Sequence, residues 1–282
     1  MRIVTLVENT KPEGREDLKA EHGLSLYVEH DGRHILFDSG ATEAFRRNAE
    51  RLGVSIPEVD VAVLSHHHYD HGGGLPYFLE ANQKARVYLR KCEEGDYTFR
   101  AFGIMRKHIG LDREMFRRYP GRFEFVERDT EILPGVFVLT GIGKRYPLPK
   151  GNRRLFVERA GVCTRDAFEH EQMMVIEAEA GLVVFTGCSH SGILNMVDAA
   201  ARQFPGVAIQ AVLGGFHLVG IPMWNTMAGR KREVEEIGRE MLRYEIGKVY
   251  TGHCTGMKAY RVLAGVMGGR LEYLATGSQV VL

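Results

Sequence analysis

The chain's densest chemistry lies in seven consecutive residues, Ser65-His66-His67-His68-Tyr69-Asp70-His71. Five ionisable side chains within the six positions from His66 to His71 would make a poor core and an odd surface, but they suit a metal site. In an extended segment, residues two apart face the same side, so His66 and His68 can chelate one ion together. Asp70 and His71 follow as the chain bends toward Gly72-Gly73-Gly74, and they can face a second ion. Imidazole suits zinc and iron, while the carboxylate offsets part of the cation's charge.

Two ions need further ligands, and three later histidines sit where strands end. His190 lies in Thr186-Gly187-Cys188-Ser189-His190-Ser191-Gly192, His217 in Gly214-Gly215-Phe216-His217, and His253 in Thr251-Gly252-His253-Cys254-Thr255-Gly256. Each follows a β-rich run, so the three are expected at one cleft beside the first cluster. His22, His30, His34, His108 and His170 lack this setting and are expected on the surface or behind the ligands.

The elements that must position these residues can be read from periodicity and turn chemistry. Alternation predicts strands over 2–8, 24–30 and 33–37, the last two joined by a hairpin turn at Asp31-Gly32. A helix is expected over 42–52, then a buried strand over 59–64 that runs directly into the histidines. Further strands are expected over 85–89, 123–126 and 136–139. The second half repeats the rhythm with a hairpin (172–177 and 182–186), strands over 208–213, 248–251 and 273–282, and helices over 193–203, 231–244 and 257–267. The expected architecture is α/β, an αββα sandwich, with residues 1–282 forming one domain. Two stretches resist the pattern, 93–122 and 141–165. Both are rich in basic residues, the first also in aromatic ones, and both are expected to be long insert loops that wall a substrate.

Composition bounds the partners. A hydrophobic content of 44% and a charged content of 26% fit a globular chain with a sizeable core. Formal charge is +1, which argues against a nucleic-acid or membrane partner. Arg outnumbers Lys by 27 to 10, and Arg is the better bidentate binder of phosphate and carboxylate. Arg153 and Arg154 in the second insert are therefore candidate contacts for an anionic small-molecule substrate. No apolar run reaches the ~20 residues of a membrane helix. The N-terminal MRIVTLVENT has no signal-peptide pattern, and Cys92, Cys163, Cys188 and Cys254 are widely spaced, so a cytoplasmic location is expected.

The segment Val63-Leu64-Ser65-His66-His67-His68-Tyr69-Asp70-His71 resembles the metal motif of the metallo-β-lactamase superfamily, and Ile35-Leu36-Phe37-Asp38-Ser39-Gly40 is similar to the strand and turn preceding it. Leu6-Val7-Glu8-Asn9, Glu21-His22-Gly23-Leu24-Ser25, Gly187-Cys188-Ser189-His190-Ser191-Gly192-Ile193, Gly214-Gly215-Phe216-His217-Leu218 and His253-Cys254-Thr255-Gly256 resemble a subfamily usually named dihydropterin-methyl-ribofuranosyl-aminobenzene phosphate synthase. The resemblance spans nearly the whole chain. It implies two divalent ions, zinc in the first place with iron or manganese as alternatives. His66 and His68 would hold the first, Asp70 and His71 the second, and His253 would join the second. His190 is the candidate third histidine of the first. The superfamily commonly has a bridging aspartate where this chain has Cys188, which would be either a thiolate ligand or a small buried residue. Asp38 is expected to orient a ligand histidine.

Such a pair of ions can polarise a substrate oxygen and neutralise a leaving group. The resemblance implies a transferase in which an arylamine, or its ring carbon, displaces diphosphate from a pterin diphosphate. The alternatives are a hydrolase of a phosphodiester or other ester, and, from another class, a metal-dependent binding or sensing protein. Asp70 and His217 are the candidate catalytic residues, His217 as a general acid or a donor to substrate oxygen.

Overall fold

The computed structural model describes residues 1–221 and 226–282. Two seven-stranded sheets form its centre. The first has the order β18-β1-β2-β3-β4-β5-β8, made of β1 (Arg2–Val7), β2 (Ser25–His30), β3 (Arg33–Phe37), β4 (Val61–Val63), β5 (Arg86–Arg90), β8 (Phe123–Val126) and β18 (Gln279–Val281). The second has the order β17-β16-β15-β14-β13-β10-β9, made of β9 (Thr130–Leu133), β10 (Val136–Leu139), β13 (Met173–Ala178), β14 (Gly181–Phe185), β15 (Ile209–Gly214), β16 (Lys248–Thr251) and β17 (Leu271–Tyr273).

The sheets face one another across an apolar layer in which Ile35, Phe37 and Val63 of the first meet Ile176, Val183 and Phe185 of the second. The Phe37 and Phe185 ring centroids lie 5.9 Å apart. Because alternate side chains point to opposite faces, the other set of each sheet is left for helices to cover. On the first sheet, Leu36, Ala62 and Val87 pack with Phe45 of α1 (Ala44–Arg51) and Phe78 of α3 (Leu75–Ala81). On the second, Val184, Val212 and Val249 pack under α5 (Ile193–Gln203), α6 (Lys231–Arg243) and α7 (Met257–Met267). Along α6 the inward positions Val234, Gly238 and Met241 follow the helical repeat, and α7 lies across Gly238. This is the expected αββα sandwich.

Strand direction places the chemistry. β3, β4, β5 and β8 run parallel, and so do β14, β15, β16 and β17. The loops leaving β3, β4, β14, β15 and β16 therefore open at one edge, the usual place for a ligand cleft in such sheets. Four of those loops hold a non-glycine residue in the left-handed region: Asp38 (φ 58°), Ser189 (φ 57°), His217 (φ 46°) and His253 (φ 49°). Conformations of this kind cost free energy and persist where surrounding contacts over-determine them, often at functional sites.

Two expectations need correcting. The strand expected over 273–282 is two strands in different sheets. Ala275-Thr276-Gly277-Ser278 turns the chain between them, with Gly277 at φ 89° and the Ala275 N–H donating to Ser278 Oγ at 2.9 Å. The inserts near 93–122 and 141–165 are not simply loops. β6 (Asp96–Ala101) and β7 (Met105–His108) form one hairpin, β11 (Leu155–Arg159) and β12 (Val162–Arg165) another, and β6 pairs with β11. The result is a separate four-stranded sheet, β12-β11-β6-β7. Its own small core, with Tyr97, Ile109, Leu155, Val157 and Phe168 buried, is too short to show a convincing period in sequence. The one-turn helix α2 (Tyr69–Gly72), α4 (Glu114–Arg118) and several short 3-10 turns complete the elements of the described residues.

The two halves meet most tightly at Gly187, just after β14. A Cβ there would lie 2.0 Å from Ser65 Oγ and 3.0 Å from His66 Nδ1. Neither neighbour is free to retreat, because Ser65 and His66 are fully buried. Gly187→Ala should therefore destabilise the metal-free protein by about 1–3 kcal/mol, the usual cost of overpacking. Urea unfolding in the presence of a chelator measures this, and an unchanged midpoint would show that the loop yields freely.

Candidate metal centre

His66 and His68 follow β4 in a bent segment that ends extended at His68, with rings 4.5 Å apart, and His190 approaches them at 4.9 and 5.0 Å. The Nε2 atoms of all three are buried and have no hydrogen-bond partner within the protein. Such atoms are costly to desolvate unless something else satisfies them. Ser65 Oγ donates to Asp38 Oδ2 at 2.8 Å, so it accepts from His66 Nδ1 at 2.9 Å. Asn152 Nδ2 donates to the His190 carbonyl at 2.8 Å, which turns its Oδ1 to accept from His190 Nδ1 at 3.0 Å. In both rings the proton is therefore on Nδ1, and the Nε2 lone pair points at the gap between the three histidines.

A second cluster lies beside the first and comprises Asp70, His71, Cys188 and His253, all buried. His68 caps α2, whose single turn carries Asp70 and His71 round to this side. His71 Nδ1 meets Asp38 Oδ2 at 2.6 Å, and His253 Nδ1 meets Asn9 Oδ1 at 2.8 Å. Both rings thus present Nε2 lone pairs, and these two nitrogens stand 3.2 Å apart. Cys188 Sγ is 3.2 Å from His71 Nε2, and Asp70 Oδ2 is 3.4 Å from His253 Nε2. Ligands bound at 2.0–2.2 Å around a tetrahedral ion are about 3.3–3.6 Å apart, so this spacing is that of a coordination shell. Two lone pairs facing at 3.2 Å repel, and a cation between them removes the repulsion. The donor sets of both clusters therefore fit divalent ions, three imidazoles in one and a mixed N/O/S set in the other.

A third group, His68, Asp166 and His170, is also close enough to suggest a metal. Hydrogen bonding argues otherwise. His170 Nδ1 accepts the His67 backbone N–H at 3.0 Å, so its Nε2 carries the proton and donates to Asp166 Oδ2 at 3.0 Å.

Burial and the neighbouring His71 press His66 well below the ordinary histidine range, and burial and His217 do the same to His190. His67 is lowered to about 3, by burial and then by His170. Burial works against ionised Asp70, but the adjacent imidazoles of His22 and His253 outweigh it and hold this carboxyl well below the usual range. His71 is raised despite burial, because it faces the Asp38 carboxylate.

Above the clusters is a cavity of about 600 Å³, within the range of small-molecule sites. Asp70, Cys188, His190, His217 and His253 lie along it. Phe99, Phe102, Met105, Ile109 and Leu155 of the small sheet and its flanks form one wall, with Val219, Ile221 and Met257 among the other apolar lining residues. The inserts do border the cleft, as expected of them, yet Arg153 and Arg154 are not among the lining residues. Arg153 is exposed, and the Arg154 guanidinium sits 5.8 Å from the Phe102 ring centroid. Lys107, whose ammonium donates to Tyr69 OH at 2.8 Å, is the lining cation. His217 is half-buried, with its ring 4.2 Å from that of His190 and its Nδ1 buried without a partner. It forms a further possible donor group with Cys188 and His190.

Several supporting residues escaped the sequence reading. Glu8 accepts from the His253 backbone N–H and from Tyr273 OH. Glu171 takes the N–H groups of His190 and Ser191, both at 2.6 Å. Only Glu8 carried a signal, a charged residue placed directly after the apolar strand β1.

Sheets of this order, with paired donor clusters at the edge where the parallel strands end, define a metallo-hydrolase-like fold, and the chain belongs to the metallo-β-lactamase superfamily. The profile of that superfamily matches residues 18–145. Over its full length the chain aligns with the crystal structure of a metal-dependent hydrolase of the β-lactamase superfamily, at 33% identity and a TM-score of 0.83, covering 99% of that protein. It is 29% identical over 254 residues to the 7,8-dihydropterin-6-methyl-4-(β-D-ribofuranosyl)-aminobenzene-5′-phosphate synthase of Methanocaldococcus jannaschii, covering 85% of this chain and 83% of the relative. Zn(2+)-bound PqqB from Methylobacterium extorquens shares the fold, with a TM-score of 0.60 at 15% identity over the whole of both chains. The protein is thus a metal-dependent member of an enzyme superfamily, with His/Asp clusters able to hold metal.

A pH dependence follows from these imidazoles. His66, His67, His68 and His190 are all lowered in the folded state, and His71 alone of this segment is raised. For the lowered group the unfolded chain takes up protons first, so its stability contribution is full above about pH 6.5 and is lost as pH falls below that value. His71 works the other way, contributing fully below about pH 6.5 and less as pH rises through its folded value. With four against one, the urea midpoint of the metal-free protein should fall between pH 7 and pH 5. A flat or rising midpoint would contradict the neutral-imidazole assignment.

Proposed function

We propose that the protein is a two-metal enzyme acting on a phosphate- or diphosphate-bearing small molecule with a flat or apolar body, in a transferase reaction of the synthase type that releases diphosphate. The observation carrying this reading is the pair of lone-pair clusters at the floor of a cavity walled by rings and aliphatic side chains. His66, His68 and His190 would hold the first ion, and Asp70, His71, His253 and the Cys188 thiolate the second. A mixed imidazole–thiolate set suits zinc better than manganese, with iron the nearer competitor. Bound there, the ions would supply charge neutralisation at a departing phosphate oxygen and polarisation of the reacting group.

The chain's own residues then divide the remaining work. Phe99, Ile109 and Leu155 would exclude water and hold the apolar body of the substrate. Lys107, steadied by Tyr69, would meet an anionic substituent remote from the metals. His217, at the cavity wall beside His190, would donate a proton or hydrogen bond to a substrate oxygen. Asp70 serves twice, as a ligand and as the negative charge nearest the reacting atoms. The sequence candidates Arg153 and Arg154 would contribute a positive field at the rim rather than direct contacts.

A second reading, hydrolysis of a phosphodiester or other ester, is favoured by the full-length relative described as a hydrolase. A purely binding or sensing role is less well supported, because the donor sets are complete. We further take residues 1–282 as one functional unit without a nucleic-acid or membrane partner. The dispersed free cysteines suit a reducing cytoplasm.

Turnover should be assayed on pterin diphosphate plus arylamine and, separately, on phosphodiesters, esters and thioesters. Activity on the first alone supports the transferase, and activity only on the others supports the hydrolase. With whichever substrate turns over, His217→Ala should lower kcat by roughly 10²–10⁴ while metal content holds, whereas His68→Ala should lose metal and activity together. Metal loss in the His217→Ala protein, measured by elemental analysis after gel filtration, would make His217 a ligand.

A further inference from the structure

The β11–β12 hairpin sends both of its ends into the first histidine cluster. Asn152 lies in the turn just before β11, and Asp166 directly follows β12. The Asp166 N–H donates to the Leu155 carbonyl at 3.1 Å, closing the hairpin at its base. At one end Asn152 grips His190 twice, through the ring at 3.0 Å and the backbone carbonyl at 2.8 Å. At the other, Asp166 Oδ2 lies 3.9 Å from His68 Nε2 and is itself held by His170 Nε2 at 3.0 Å and, through Oδ1, by the Phe168 N–H at 2.8 Å. Gly151, beside Asn152, packs so closely on His217 that a Cβ would lie 2.7 Å from that ring.

The second cluster is braced from elsewhere. Its histidines lean on Asp38 and Asn9, which follow β3 and β1 of the first sheet. The two clusters share Asp38, which reaches His66 through Ser65, but the first leans in addition on the small sheet that walls the cavity. Charge sharpens the asymmetry. The second cluster contains Asp70 and Cys188, whereas the first contains three neutral imidazoles and has the buried carboxylates of Asp166 and Glu171 beside it.

We infer that Asn152 and Asp166 are positioning residues for the first metal, acting through His190 and His68, and that the β11–β12 hairpin and the first ion stabilise one another. This rests on the two-metal reading proposed above. Outer partners of ligand histidines commonly govern metal affinity by 10–100-fold. The coupling is reciprocal, so an ion that orders the two ends of the hairpin must bind more tightly when the hairpin is already ordered. A substrate body lying on Leu155 would then strengthen the first site without touching a ligand.

The test is zinc titration against a chromophoric chelator in two backgrounds. In His71→Ala protein, which retains the first site, adding Asn152→Ala or Asp166→Asn should weaken the remaining zinc by roughly 10–100-fold. In His66→Ala protein, which retains the second, the same changes should leave the affinity within twofold. Hydrogen exchange on the unsubstituted chain gives a reading that needs no variant to fold, and zinc should slow exchange of the amides of 155–165. Equal affinities in the His71→Ala background, or hairpin exchange indifferent to zinc, would overturn the inference while leaving the two-metal reading intact. Absence of any zinc binding by the unsubstituted chain would overturn both.

Discussion

One carboxylate at the end of β3 organises the donor atoms of both clusters. Asp38 accepts the Ser65 backbone N–H at 2.7 Å, the Ser65 hydroxyl at 2.8 Å and His71 Nδ1 at 2.6 Å. The first bond fixes where the histidine segment leaves β4. The second turns the Ser65 hydroxyl so that it can only accept from His66, which frees the His66 Nε2 lone pair for the first cluster. The third does the same for His71 in the second. Removing this buried acceptor would leave three donors without a partner and release the tautomers of two rings at once. Its left-handed backbone, φ 58°, is the conformational cost of bringing one side chain to all three.

The rest of the sandwich can be understood as holding other donors to the same standard. Each histidine that aims a bare nitrogen at a cluster and has a partner on its other nitrogen uses an acceptor there: Ser65 for His66, Asp38 for His71, Asn152 for His190 and Asn9 for His253. Three of those acceptors follow strands of the first sheet and Asn152 precedes the small one. His190 and His253 themselves follow strands of the second, so the clusters depend on all three sheets being in register. Glycines allow the approach where side chains would collide, most severely at Gly187 against Ser65.

The contrast between what sequence made legible and what it hid follows from the same geometry. His66 to His71 could be read directly, because one strand end and one helical turn carry four donors within six residues. The late histidines could be read from their place after apolar strands, and parallel pairing does bring those strand ends together. Asp38 apart, the braces could not. His170 meets the His67 backbone from 103 positions away, and Asn152 reaches His190 across 38, within segments lacking any sustained period. The small sheet was hidden for a related reason. β7 and β12 are exposed along their length, so neither shows the alternation of buried and solvated residues that betrays a half-buried strand. Arginine abundance also misled, since charge on a neighbouring segment does not place a guanidinium inside a cavity.

In the two-metal reading, the bare nitrogens of both clusters converge on cations. Crystals of the protein soaked with zinc and measured on either side of the zinc absorption edge test it most directly. Two anomalous peaks per chain are expected, one within about 2.0–2.2 Å of Nε2 of His66 and His190 and of a ring nitrogen of His68, the other at similar distances from Asp70, His71 and His253. Crystals that diffract well yet show no zinc peak at either cluster, or peaks only at surface histidines such as His30 and His108, would contradict it.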